Sequence, residues 1–352
     1  MIKRFDIVIG LSLIFTVFGC QDTQKKSTSE PESEEKNQFY INPVINFNFP
    51  DPTVIKAENG NYYAYATNRR NNGNQINIQV LRSQDLLHWQ TLPDAMPEKP
   101  TWANKDFWAP HVSYNEGTQK YYLFYSGESK ERNLGKCLGV AVSNSPEGPF
   151  KDKGDALLCG DGFKNIDPMV YQDKVSGKNY IYWGSGFDNI KVQELSDDFL
   201  NFKEGSKPID LIAPLAGDDP DNYERLVEGA WLKKHGAFYY LYYSGDNCCG
   251  KKAHYAVLVA RSKSPTGPFE KFRNKNGKPI ILSKNKRWLA PGHNSVITDD
   301  NGQDWIMYHA IDTKNRKKGR VFLMDKISYK GGWPVIHNGT PSVSEIPVPK
   351  TR

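Results

Sequence analysis

The sequence predicts an all-β chain folded as a five-bladed propeller, with four strands per blade around a central channel. An aromatic strand motif recurs five times, and an acidic or equivalent residue precedes each copy at near-constant spacing. No long segment carries a 3.6-residue apolar period, while 29 Gly and 22 Pro supply frequent turns.

The aromatic strands are Tyr62-Tyr63-Ala64-Tyr65, Tyr121-Tyr122-Leu123-Phe124-Tyr125, Tyr180-Ile181-Tyr182-Trp183, Tyr239-Tyr240-Leu241-Tyr242-Tyr243 and Trp305-Ile306-Met307-Tyr308. Taking Asp51, Ala109, Asp167, Glu228 and His293 as the unit starts, the spacings are 58, 58, 61 and 65 residues. A third strand follows in several units, as in Leu138 to Ser143 and Ala256 to Ser262. The closing turns repeat as well: Ser145-Pro146-Glu147-Gly148-Pro149-Phe150 matches Ser264-Pro265-Thr266-Gly267-Pro268-Phe269. Units of this size stack radially into blades whose first strands line the channel. The propeller is expected over residues 39–352; a β-sandwich with coincidentally similar turns is the alternative.

Among 352 residues, 46 Lys and Arg face 40 Asp and Glu, a balance too slight to indicate nucleic acid or electrostatic attachment to a membrane. The amino terminus is more distinctive. Lys3 and Arg4 precede an apolar run from Ile7 to Phe18 that is too short to span a bilayer. With Val17-Phe18-Gly19-Cys20 it resembles a bacterial lipoprotein signal and lipobox. That resemblance implies a signal over residues 1–20, lipidation of Cys20, and a polar tether over 21–38. Contact with the membrane would then be through the anchor alone, at the bacterial outer membrane or cell surface. An ordinary secretory peptide is the alternative, and both imply export.

Export makes the other four cysteines candidates for disulfides. Cys137 and Cys159 flank outer strands of one unit and are placed to pair across them. The adjacent Cys248 and Cys249 either form a strained vicinal disulfide, a stiff apolar patch in the binding site, or remain free thiols in a loop.

Innermost strands aim their first residues at one end of the channel, so Asp51, Asp167 and Glu228 are expected to converge on one pocket. Glycosidic hydrolysis with inversion needs one carboxylate to activate water and one protonated carboxyl to donate to the leaving oxygen, about 6.5 to 9.5 Å apart. Burial or a third negative charge keeps the acid protonated near neutral pH. A lone Asp-Pro is ordinarily a turn former, but two at equivalent positions with Glu228 at a third favour catalysis.

Five motifs extend the argument: Asn48 to Val54 (NFPDPTV), Phe107 to His111 (FWAPH), Asn165 to Val170 (NIDPMV), Val227 to Trp231 (VEGAW) and Pro291 to Val296 (PGHNSV). In this order, over about residues 42–345, they resemble glycoside hydrolase family 43. The resemblance implies a five-bladed propeller and inverting hydrolysis, chiefly of α-L-arabinofuranosides and β-D-xylosides. It makes Asp51 the general base, Glu228 the general acid, and Asp167 the residue that orients the acid and raises its pKa. It also implies that Trp108 is an aromatic wall of the sugar pocket, that Arg320 reaches the sugar, and that His293 sits near the channel axis. No cofactor is required for the chemistry, although calcium or another cation at the axis, held by His293 through water, is compatible with it.

The resulting expectation is an inverting hydrolase, acting as a monomer, that releases a terminal arabinofuranose or xylose from plant or algal polysaccharides or oligosaccharides. An endo-acting arabinanase and a non-catalytic carbohydrate-binding propeller are the alternatives. The acidic run at 217–221 lacks calcium-loop spacing, and the basic run at Lys314 to Lys318 reads as a solvated loop.

Overall fold

The computed structural model describes residues 38–351, apart from residues 72, 132, 185, 218 and 220 and the side chain of residue 71. The expected signal, Cys20 and the tether before residue 38 lie outside the described residues.

Alternating aromatic strands pack on both faces, and five antiparallel sheets result, one per repeat. Blade 1 runs through Thr53–Lys56, Tyr62–Ala66, Gln79–Ser83 and Gln90–Thr91. Blade 3 holds Met169–Asp173, Lys178–Trp183, Ile190–Leu195 and Ile209–Ile212, and blade 5 holds Trp288–Thr298, Asp304–Asp312, Arg320–Lys330 and Trp333–Ile336. Blades 2 and 4 depart from strict four-strandedness. In blade 2, Ala103–Asn115, Lys120–Ser129 and Lys136–Ser143 are followed by two short outer strands, Lys151–Asp152 and Leu158–Cys159, both paired with the third. In blade 4, Val227–His235, Phe238–Asn247 and His254–Ser262 carry Glu270–Lys271 and Ile280–Leu282 in the same way.

The core lies between blades, because side chains of one strand alternate between the two neighbouring layers. Tyr63 and Tyr65 pack with Tyr121, Leu123 and Tyr125 of blade 2, whereas Tyr62 and Ala64 pack with Trp305 and Met307 of blade 5. The repeated closing turns have a shared task. Tyr182 of blade 3 donates its hydroxyl to the Pro265 carbonyl at 2.7 Å, and Tyr65 of blade 1 does the same to Pro146. A buried phenol needs such a partner.

Ring closure joins residues 42–49 to blade 5. Asn42 exchanges hydrogen bonds with both the carbonyl and the N–H of Met324, each 3.0 Å, and Phe49 N–H donates to Arg320 O at 2.8 Å. Outside this contact, Phe39–Tyr40 pairs with Ile346–Pro347.

Each blade entrance has a residue in the left-handed region at the equivalent position: Asp51 (φ 57°), Ala109 (45°), Asp167 (58°), Gly229 (63°) and His293 (48°). In each case the N–H is caught by a side chain of the preceding blade or its edge. The acceptors are His309 Nδ1 (3.1 Å), Thr67 Oγ1 (2.9 Å), Ser126 Oγ (3.0 Å), Asp167 Oδ2 (3.1 Å) and Ser244 Oγ (2.7 Å), in that order. Gly229, rather than Glu228, is therefore the true counterpart of Asp51 and Asp167. Glu228 sits one residue earlier, which gives its side chain a different direction from the other two carboxylates. Among the described residues the only helix is the exposed turn Arg316–Lys318, and no helix is long and apolar enough to cross a membrane.

Candidate active site

The blade entrances open onto a cavity of about 520 Å³ lined by Asp51, Asp167 and Glu228 together, a size suited to a small organic ligand. The expected convergence of the three carboxylates is what the fold produces.

Asp51 is buried and held as an anion. Thr67 Oγ1 donates to its Oδ2 at 2.5 Å, and Arg320 Nη1 donates to Oδ1 at 2.7 Å. Burial alone would raise its pKa, but Arg320, His293 and His309 together hold it well below the usual carboxylate range. His309 accepts the Asp51 N–H at Nδ1, and burial pushes its pKa down to about 4, so the ring is neutral near pH 7. Thr67 serves twice, since its oxygen also accepts from Ala109.

Glu228 lies in the opposite condition. Burial pushes its pKa up to about 7; a hydrogen bond from Tyr255, whose hydroxyl donates to Oε1 at 2.7 Å, opposes the rise, and the Asp51 charge adds to it. Asp167 is raised as well, by burial first and then by the charges of Glu228 and Asp51. The two acids resist joint ionisation and titrate as a pair. Asp167 Oδ2 accepts the N–H of Gly229, the residue after Glu228, so the backbone itself spaces them.

Two glycines make this packing possible. A Cβ on Gly292 would lie 2.1 Å from the Tyr255 ring, and one on Gly229 would meet His293 Nδ1 at 3.2 Å. His293 Nδ1 stands 3.5 Å from Asp51 and 3.8 Å from Asp167, bridging the low and the raised carboxyl. Burial lowers its pKa, so it is a neutral spacer.

Trp108, Arg320, His293, Cys248 and Cys249 all line the same cavity. Lys136 Nζ rests 3.9 Å from the centre of the Trp108 ring and pairs with Asp106 and Glu128, so one face of the indole is engaged by a cation. Cys137 and Cys159 form the expected disulfide across blade 2. Cys248 and Cys249 do not: both are free thiols, so the vicinal disulfide patch is absent. Cys248 donates to Cys249, whose pKa falls to about 6. Among the described residues no three His, Cys, Asp or Glu side chains gather in a metal-binding group. The basic run at 316–318 is exposed, and Asp219 pairs with Lys278 as a surface loop would.

Sequence reading missed Tyr255, Thr67 and His309, because they stand on or just past second and third strands and belong to no shared motif. It also missed Phe163 and Phe187, which line the cavity from the segment leading into blade 3 and from a loop of that blade.

A family model described as glycosyl hydrolases family 43 matches residues 40–334. An extracellular exo-α-(1→5)-L-arabinofuranosidase from Cellvibrio japonicus is 27% identical over 81% of this chain and 85% of its own. An extracellular endo-α-(1→5)-L-arabinanase from Bacillus subtilis is 30% identical over 81% and 86%. A crystal structure of a thermostable family-43 glycoside hydrolase superposes with a TM-score of 0.73 at 28% identity, covering 89% of this chain and all of the other.

Proposed function

Because the chain belongs to glycosyl hydrolase family 43 and hydrolyses O-glycosyl bonds, we propose that it removes terminal α-L-arabinofuranose from arabinan or arabino-oligosaccharides with inversion. The observation that carries this reading is the divergence of two carboxyls in one cavity, Asp51 held low and Glu228 pushed up to about 7. The arabinose assignment rests on the arabinan-active relatives.

In this mechanism Asp51, anionic and oriented by Thr67 and Arg320, takes a proton from a water that attacks the anomeric carbon. Glu228, protonated, gives its proton to the departing oxygen on the other side of the sugar. Burial and the Asp51 charge keep the Glu228 proton in place, Asp167 orients the acid by accepting the Gly229 N–H, and Tyr255 fixes the carboxyl's direction. Arg320 spends one nitrogen on Asp51 and has further donors for sugar hydroxyls. Trp108 contributes an apolar face for stacking, and Cys248 and Cys249 line the pocket without a disulfide between them.

The donor set does not suit a directly bound metal. His293 turns Nδ1 to two carboxylates, so a cation at the axis would be held through water, and no step needs one. For the amino terminus we infer export and a lipid anchor at Cys20, in keeping with the extracellular relatives. Cys20→Ala should move the protein from the membrane fraction to the soluble one.

Parallel assays on aryl α-L-arabinofuranoside, aryl β-D-xyloside and linear arabinan test the reading. It expects release of free arabinose from the first and third; xylose release alone would overturn it. Oligosaccharides as the first products from arabinan would instead establish the endo mode of the Bacillus subtilis relative.

A further inference from the structure

Two large aromatic side chains at the cavity have no task in the chemistry or the core. Phe163 is 39% exposed and Phe187 is 65% exposed, yet both line the catalytic cavity, and their rings meet at 6.2 Å in an edge-to-face contact. Single exposed apolar residues are ordinary on a protein surface. A touching aromatic pair at the edge of a sugar pocket is a platform of defined orientation.

The platform is built rather than incidental. The loop carrying Phe163 is fastened at one end by the Cys137–Cys159 disulfide and by Lys136 N–H donating to Gly162 O at 2.7 Å. Its other end is tied by Gly184 N–H to Ile166 O at 2.9 Å and by the Trp183 indole to Asn165 at 3.2 Å. Gly186 lets the two loops touch, since a Cβ there would lie 2.7 Å from Phe163 O. Phe187 itself holds a left-handed backbone, φ 65°, unusual for a bulky side chain, and the next residue, Asp188, is anchored by Lys191 at 2.9 Å.

Its position fixes which sugar it meets. Arg320 and Asp51 meet on the side of blades 5 and 1, whereas Phe163 lies in the segment that leads from blade 2 into blade 3 and Phe187 in a loop of blade 3, and both share the cavity with Asp167 and the proton donor Glu228 of blade 4. The leaving oxygen must face Glu228, so the chain attached to it departs on the same side. We propose that Phe163 and Phe187 form the binding site for the leaving-group sugar, stacking on the apolar face of the ring next to the scissile bond. This rests on the glycosidase reading above and makes the enzyme selective for glycans over simple glycosides.

The test compares wild type with the Phe163→Ala, Phe187→Ala double variant on two substrates. Linear α-1,5-arabinotriose places a sugar on the platform; methyl α-L-arabinofuranoside does not. Stacking of this kind amounts to about 2- to 10-fold per ring. The expected result is a fall in kcat/KM of about tenfold or more on the triose, mostly in KM, with the methyl glycoside unchanged. Equal losses on both substrates, or no loss on either, would overturn the platform while leaving the glycosidase reading intact. A wild-type protein that cleaves neither substrate would overturn that reading and the platform with it. Circular dichroism of the double variant, whose changes are exposed, confirms that its fold is retained.

Discussion

At the scale of single residues, the site works by giving like groups unlike surroundings. Asp51 and Glu228 are both buried, but Asp51 faces Arg320 and Thr67, whereas Glu228 faces a phenol and two other carboxyls. Replacing Asp51 by Asn should lower kcat by at least about 10²-fold on every substrate, since no leaving group substitutes for water activation. Removing Glu228 as Gln should cost as much on arabinan and far less on activated aryl glycosides; steady-state kinetics on both substrates checks the split. Tyr255→Phe removes a hydrogen bond that favours the Glu228 anion, worth about 1 kcal/mol and hence a little under about one pH unit. The basic limb of kcat/KM, expected near pH 7, should therefore move upward, and a downward movement would contradict the assignment. The three carboxylates were legible in the sequence because each stands in a repeated motif. Tyr255 was not, since only the folded chain brings the third strand of blade 4 against Glu228.

At the scale of elements, the repeated entrance turn does most of the positioning. Five left-handed residues, each with its N–H caught, set the depth of the first strands in the channel. Sequence spacing located these entrances to within one residue, and the single offset matters: blade 4 gives the left-handed position to Gly229 and sets Glu228 before it. A carboxylate at the equivalent position would point as Asp51 and Asp167 do. The split outer strands of blades 2 and 4 were not legible, because segments of two or three residues carry no period. In blade 2 the split makes room for the Cys137–Cys159 bridge, which closes a loop with a sequence separation of 22 residues. Its removal as Cys137→Ser, Cys159→Ser should cost about 3 kcal/mol, read as a lower urea midpoint with a slope that is, if anything, steeper, because the unbridged unfolded chain is less compact.

Across the whole molecule, the fold is a closed ring whose apolar layers belong to pairs of blades. Closure combines backbone bonds from residues 44–49 to Arg320 and Phe322 with one buried side chain, Asn42, which bonds both backbone groups of Met324. Asn42→Ala takes the side-chain acceptor from the Met324 N–H, while the Met324 carbonyl keeps the Tyr40 hydroxyl, and should destabilise the protein by about 1 kcal/mol or more, with a corresponding fall in Tm. The catalytic acid also taxes the fold. The folded chain keeps a proton on Glu228 that the unfolded chain releases, because its pKa is raised from 4.5 to about 7. The contribution of this group to stability is accordingly fullest below about pH 4.5 and is lost as pH rises through 7, by up to about 3 kcal/mol. Glu228→Gln should flatten that part of the pH profile of Tm and make the variant more stable than wild type at pH 8. The five-fold repetition made the ring legible from sequence, whereas its closure was not, since Asn42 and Met324 lie at opposite ends of the chain and share no motif.

The central claim is that water attacks under Asp51 while Glu228 protonates the opposite side of the sugar. Proton NMR of the first turnovers on an α-L-arabinofuranoside tests it most directly. The account predicts β-L-arabinofuranose as the initial product, converting to the equilibrium mixture only afterwards. Initial appearance of the α anomer would mean retention, and would contradict the assignment of Asp51 as a base.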